Sequence, residues 1–402
     1  GEGDSLVVSL DATSLPAGAA FGSSFGIERR QQVRTTRGGL RNALFVGGEW
    51  RLRSVEVRNR PVHVFVRGHF PFADSTFAAA MGGVVAAQRA FWSDDRFPSY
   101  LVALAPSNRG TLGGTRYTDA MMLDADTLHA IDADMLALVS HESFHEWIGG
   151  RTVPADGLEG ALKWFTEGVN DYYADRLLHD ARLITDSAYA ARTSSVLRDY
   201  TTSTYRDSSA AAVTRDYWTN GVANRLPYQR GRLLALAFDR ELRRGSRRRV
   251  GIDAVVREVL KRTGAARLTD SVIVAAVRSV AGSGAADTLR RWHGGASPLV
   301  VPPDALGPVF VQDSVDYLPF DPGFDLDASL RQRTVVAVRA GGPADRAGLR
   351  DGMTIAGVSV YRGQADREAI IQVRETTGIR DIRFLPAAEK PIRIPRFRPL
   401  PR

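Results

Sequence analysis

The pentapeptide His-Glu-Ser-Phe-His at His141–His145, followed by Trp-Phe-Thr-Glu-Gly at Trp164–Gly168, constrains this chain more than any other feature. Residues four apart lie on one face of a helix, so His141 and His145 address a single point in space with Glu142 beside it. Two imidazoles and the carboxylate of Glu167 are donors that zinc takes in catalytic sites, where three protein ligands leave a fourth position open for water. Zinc lowers the pKa of that water from about 16 to about 7. Glu142 stands where it can take the water's proton and pass it to a leaving amine. Asp171, four residues beyond Glu167 on what reads as the next helix, is spaced to accept the outer N–H of a ligand histidine and fix its tautomer. The expected cofactor is one Zn2+ per chain.

A short motif can arise by chance, and the bland alternative is a surface helix with two solvated histidines. The flanking sequence argues against it. Between Ile131 and Trp147 apolar residues recur at helical spacing at Met135, Leu138, Val139 and Trp147, and Gly149-Gly150 supplies a stop. The helix is therefore expected to be buried on one side, and buried histidines need partners.

A chain of 402 residues with 44% hydrophobic content can bury substantial cores and suggests two or three domains. No apolar stretch approaches the ~20 residues of a membrane span. The chain opens at Gly1 with neither methionine nor a signal-like segment, which reads as an upstream portion removed or omitted. The absence of cysteine excludes disulfides and thiolate ligands and suits cytoplasm or periplasm, a periplasmic or secreted location being slightly favoured. The net charge of +8 comes almost wholly from arginine, which replaces lysine nearly everywhere. Clusters occur only at Arg243–Arg249 and in the tail Lys390–Arg402; they read as a solvated turn and a frayed terminus, and no nucleic-acid partner is expected.

Along the chain, Ser5–Ala12 and Trp50–Gly68 alternate like half-buried strands. Asp74–Trp92 turns helical, and Ser99–Pro106 reads as a strand. Beyond Gly160 helices dominate: Glu167 to about His179, Gln229–Arg243, Ile252–Thr263, and Thr269–Val280 with Thr269 as N-cap. The pattern predicts an α+β, thermolysin-like two-lobe metallopeptidase, with a mixed sheet-and-helix lobe, an all-helical lobe and the metal between them. Substrates usually bind in such clefts.

The runs H-E-S-F-H-E-W, W-F-T-E-G-V-N-D-Y-Y-A-D at Trp164–Asp175 and L-P-Y-Q-R-G-R-L-L-A-L-A-F-D at Leu226–Asp239 resemble the glycyl-aminopeptidase family of gluzincins. That family joins a thermolysin-like peptidase domain to a C-terminal PDZ domain. The resemblance covers most of the chain from about Phe70. It implies zinc held by His141, His145 and Glu167, Glu142 as general base, and peptide or protein substrates. It also implies that the Tyr228 hydroxyl stabilises the oxyanion, since Tyr228-Gln-Arg-Gly231 stands where related aminopeptidases carry such a tyrosine; the logic is a donor aimed at charge that develops in the transition state.

The proline-rich run at Ser297–Pro308 marks a linker. Beyond it, Pro322–Asp327 and Thr334–Ile355, with its G-P-A-x-x-A-G-L-x-x-G segment, look like a bacterial PDZ domain. Its carboxylate-binding loop is expected at Gly323 and Phe324, with a peptide as ligand. The expected division is a β-rich region, a remnant of the family's N-terminal domain, over 1–70; the peptidase over 71–296; the linker over 297–321; and the PDZ domain over 322–402. In one respect the chain departs from the family. A G-G-L-E-H-like motif, whose glutamate grips the substrate's free amine, has its best match at Gly113-Gly114-Thr115-Arg116-Tyr117, and an arginine there repels an ammonium group. An endopeptidase on the same machinery is therefore one alternative; a PDZ peptide-binding scaffold with a non-catalytic zinc site is the other.

Overall fold

The computed structural model describes residues 5–107, 112–246, 249–264, 266–294 and 298–401. Gly1, Arg247 and Arg248 of the basic run, Ser297 at the head of the proline-rich stretch, and Arg402 lie outside the described residues. The chain forms two compact units, one of Gly1–Arg192, Thr204–Phe310 and Pro399–Arg402, the other of Thr193–Ser203 and Val311–Arg398.

The first unit begins with β1 (Ser5–Asp11), β2 (Ala20–Ser23), β3 (Arg30–Thr36), the short helix α1 (Arg37–Arg41) and β4 (Phe45–Gly48). β1 pairs antiparallel with β3, and β2 with β4. The main sheet follows: β5 (Arg51–Val57), β6 (Arg60–Val66), helix α2 (Asp74–Trp92), β7 (Tyr100–Pro106), β8 (Gly113–Tyr117) and β9 (Ala120–Ala125), in strand order β5-β6-β7-β9-β8. β6, β7 and β9 run parallel, while β5 and β8 are antiparallel edges. Val62–Val66 and Tyr100–Leu104 are buried throughout, as central parallel strands must be when both faces are covered. α2 covers one face, and Gly82 lets it approach, since a Cβ there would lie 2.8 Å from Val55 Cγ2. Leu44 and Val46 join Phe65 and Leu101 in a separate core cluster.

The expected boundary at residue 70 therefore does not divide the structure, because the hairpin β5-β6 belongs to the same sheet as β7–β9. The hairpin's two-residue turn, Arg58-Asn59, has both residues at positive φ, a turn whose twist matches the strands.

The helical part contains α3 (Ala133–Phe144), a π-helical turn (Trp164–Val169), α4 (Asn170–Asp180), α5 (Asp186–Thr202), α6 (Ala210–Asp216), α7 (Gly221–Gly245), α8 (Ile252–Thr263) and α9 (Asp270–Gly294). α2, α8 and the Thr269 cap of α9, whose Oγ1 accepts from Val272 N at 3.2 Å, match the sequence pattern. α7 starts eight residues before its expected start at Gln229. Pro227 lies inside the helix; the Asn220 side chain caps the true N-terminus by accepting from Val222 N and Ala223 N. Burial of Leu226, Leu233, Leu234 and Phe238 along this helix outweighs the ~3 kcal/mol that an interior proline costs. Among the described residues α9 is the one helix long and apolar enough to cross a bilayer by length and composition, although Gly282 at φ 85° breaks it midway. That qualifies the expectation that no stretch approaches such a length.

The second unit contains β10 (Phe310–Tyr317), α10 (Leu326–Gln332), α11 (Pro343–Arg346), β11 (Thr354–Ser359), β12 (Ala369–Glu375), β13 (Gly378–Phe384) and β14 (Ile392–Pro399). β11-β12-β13 form an antiparallel sheet around a core of Val335, Leu349, Ile355, Ile371, Val373 and Ile382, and β10 pairs with β14. The span 297–321 is thus not linker throughout, since β10 is a strand of this unit.

Candidate active site

α3 is set by its own sequence before anything packs on it. Asp132 caps its N-terminus, accepting from Asp134 N at 3.0 Å and Met135 N at 2.9 Å. Met135, Val139 and Phe144 are fully buried, and Phe144 stacks on Tyr173 with ring centroids 5.1 Å apart. Polar ties fix the rotation of the helix: Gln88 Nε2 donates to Ser140 O (2.7 Å), Ser140 Oγ to Ala174 O (2.9 Å), and Asn170 Nδ2 to His141 O (3.0 Å). With the buried face anchored to α2 and α4, His141 and His145 are left facing the other way, partly exposed.

Glu167 is carried by the π-helical turn, a local widening often found at functional sites. The turn is clamped against α7 by glycines: a Cβ on Gly231 would lie 2.1 Å from Trp164 O, and one on Gly168 2.5 Å from Gly231 Cα. Only hydrogen fits at either place.

His141, His145 and Glu167 converge. Glu167 Oε2 lies 3.3 Å from His141 Nε2 and 3.3 Å from His145 Nε2, and the two Nε2 atoms are 3.0 Å apart. Donors about 2.0–2.1 Å from a tetrahedral zinc stand about 3.3 Å from one another, so the three fit one face of such a site. Hydrogen bonding at the outer nitrogens fits as well. His145 Nδ1 donates to Ile148 O (2.9 Å), an acceptor only, and His141 Nδ1 meets Asp171 Oδ1 at 2.8 Å. Both partners place the N–H on Nδ1, which turns two Nε2 lone pairs and a carboxylate oxygen toward one another, an arrangement that needs a cation. Burial disfavours a charge on His141, but Asp171 and Glu167 outweigh it and raise its pKa to about 10. Burial likewise opposes the charge on Glu167, yet its bonds to His141 and His145 hold its carboxyl well below the usual range. The negative field that would keep a proton here would equally hold a divalent ion.

Glu142 and Gly114 are brought together, since a Cβ on Gly114 would lie 3.0 Å from Glu142 Cγ. The edge strand β8 thus passes the general-base candidate with no side chain between. Gly113, on the opposite face of the strand, backs onto Asp124. Arg116 follows Gly114 on the same face and meets Glu146, one turn beyond Glu142 and just past the end of α3, with Nη2 3.3 Å from Oε2. It is therefore not a partnerless charge, and the expected repulsion is offset to the degree that Glu146 is ionised. Asp119, half-buried at the β8–β9 turn with φ 49°, has its pKa raised to about 6 by desolvation against the pull of Arg116 and Arg89.

Tyr228 lies on the second turn of α7, and the contact of Gly231 with Gly168 brings that turn to Glu167. Burial first, then the negative charge of Glu167 and a hydrogen bond with Tyr217, push its pKa far above the ordinary phenol value. The hydroxyl keeps its proton and is a donor. In the second unit, Gly323 N donates to Asp321 Oδ1 (2.9 Å) and Phe324 is a core residue. This differs from an open loop of free amides.

Sequence reasoning passed over Lys163, whose Nζ lies 2.8 Å from Glu167 Oε1, and the pair Gly168–Gly231. The spacing of Lys163 four residues before Glu167 was a visible signal; the glycine contact joins positions 63 residues apart and was not.

The family described as M61 glycyl aminopeptidase matches residues 134–230, a segment that holds every metal-donor candidate and Tyr228. No curated protein matches. Among solved structures the chain is similar to an aminopeptidase N family protein from Idiomarina loihiensis, with 16% identity and a TM-score of 0.70 over 94% of this chain and 75% of that one. It is also similar to a mutant of the M1 zinc metallopeptidase from Deinococcus radiodurans bound to a Tyr-Ser-Ala substrate, with 15% identity and a TM-score of 0.50 over 74% of this chain and 65% of that one. These likenesses give the fold. With its donors converging inside a segment matched by a peptidase family, the chain is a zinc metallopeptidase.

Proposed function

We propose that this chain hydrolyses peptide bonds with His141, His145 and Glu167 as zinc ligands, Glu142 as general base and Tyr228 as oxyanion donor. The observation that carries the reading is the meeting of three donor atoms at 3.0–3.3 Å with both imidazoles held in the metal-binding tautomer. Zinc, when bound, supplies Lewis acidity that activates water and polarises the carbonyl. Glu142 accepts the water's proton and delivers it to the amine that leaves. Tyr228 offers a proton-bearing hydroxyl to the oxygen that gains charge. β8 is a sheet edge beside Glu142, and Gly113-Gly114 keep it bare, so an extended peptide can add to it as a further strand. In the second unit, the sheet β11-β12-β13 and the Gly342–Gly352 segment support a PDZ-like peptide-binding module.

A second reading, internal cleavage, is favoured by one observation: β8, Gly-Gly-Thr-Arg-Tyr, carries no carboxylate to fix a free amine. Metal analysis combined with product mapping on a mixed peptide library tests both. Stoichiometric zinc and cleaved products support the peptidase, and products lacking one N-terminal residue select the aminopeptidase. A zinc-loaded protein that leaves the library intact overturns the reading.

A further inference from the structure

Glu167 has two carboxylate oxygens, and the structure gives them different partners. Oε2 faces both imidazole Nε2 atoms at 3.3 Å, while Oε1 is 2.8 Å from Lys163 Nζ. Lys–Glu pairs four residues apart are common on exposed helices and matter little there. This one is different in place, because the Glu167 side chain is only 10% exposed and one of its oxygens belongs to the donor set. The choice of cation is also unusual for this chain. Of its 53 basic residues only Lys163, Lys261 and Lys390 are lysine. Where arginine is the default, a lysine at this point has a physical meaning. A guanidinium presents a planar fork that takes both oxygens of a carboxylate, whereas an ammonium is a point donor that can take one and leave the other.

We propose that Lys163 is a positioning residue that restricts Glu167 to a single donor oxygen, so that the ligand carboxylate cannot close over the position needed by water and substrate. The inference rests on the zinc-ligand reading above. It assigns Lys163 no contact with substrate; it acts through Glu167.

The test compares wild type, Lys163→Met and Lys163→Arg as full-length protein loaded with Co2+, a visible-spectrum probe of coordination number, alongside competition with a chelator. Methionine fills similar volume without a donor and frees Oε1. Lys163→Met should hold Co2+ at least as tightly as wild type but show the weaker visible absorption of a higher-coordinate ion, with reduced turnover. Lys163→Arg should bind metal about 10- to 100-fold more weakly, the usual loss when an outer partner of a ligand is disturbed, because the fork competes for both oxygens. A wild-type spectrum in Lys163→Met overturns the proposal. So does loss of metal from a folded Lys163→Met, which would make the lysine a prop that brings Glu167 to the site. Wild-type protein that binds neither Zn2+ nor Co2+ instead defeats the zinc-ligand reading itself, so the two failures are distinguishable.

Discussion

At the scale of single residues the site is defined by hydrogen bonds that leave each group one role. Asp171 and Ile148 O fix the imidazoles, Lys163 claims one oxygen of Glu167, and Glu142 remains beside the donors without being one of them. Glu142→Gln should therefore keep its zinc and lose about 10² to 10⁴ in kcat; metal content and steady-state kinetics on the same preparation check this, and full activity rejects the general-base role. Tyr228→Phe should keep fold and zinc while kcat falls by roughly 10² to 10³, and a change confined to KM would mean that Tyr228 contacts substrate without serving the transition state. Glu146 makes a different prediction. Burial, opposed by Arg116, raises its pKa from 4.5 to about 7. Below 4.5 both folded and unfolded chains hold the proton, and between 4.5 and 7 the folded chain binds more of it. Stability should therefore fall as pH rises through that window, by up to about 3 kcal/mol. Glu146→Gln, neutral throughout, should flatten that part of a Tm-against-pH curve; an unchanged slope would show that Arg116 already keeps Glu146 ionised.

Among the elements, the decisive contact is between the π-helical turn and α7. Two helical segments approach until their backbones touch at Gly168 and Gly231, and this closeness brings α7, which carries Tyr228, against the turn that carries Glu167. Gly231→Ala must push the two apart, because the new methyl meets a carbonyl oxygen at 2.1 Å and not a flexible side chain. We expect a stability loss at or above the 1–3 kcal/mol of ordinary overpacking, together with weakened zinc retention, both visible in thermal melts with and without added metal. A variant with wild-type Tm and zinc affinity would show that α7 moves independently of the ligand turn. The edge position of β8 belongs to the same scale: among the described residues only β9 pairs with it, and its Gly114 passes Glu142.

In the whole molecule, all donors and Tyr228 lie in the first unit, whereas β10–β14 belong to the second. A chain ending after Phe310 should bind zinc, with the loss showing as a lower Tm, since it keeps Thr193–Ser203 of the second unit but removes their partners there, such as Phe397 of β14, which exchanges hydrogen bonds of 2.9 and 3.2 Å with Ser194 midway along α5. Failure of that shortened chain to bind zinc would give the second unit a structural part in the site.

The pairing of His141 with His145, the helix that carries them, α2, α8 and the Thr269 cap were legible in the amino-acid sequence because each depends on spacings of a few residues, where helix geometry alone dictates which side chains share a face. Other features depend on distant segments meeting. The start of α7 reads as Gln229 until the burial of Leu226 and Pro227 is known, Arg116 reads as a free charge until Glu146 is seen opposite it, and β5-β6 read as a separate region until they pair with β7. Short-range spacing thus determined the chemistry available to this chain. Packing between elements far apart in sequence decided where that chemistry is clamped, neutralised and left open.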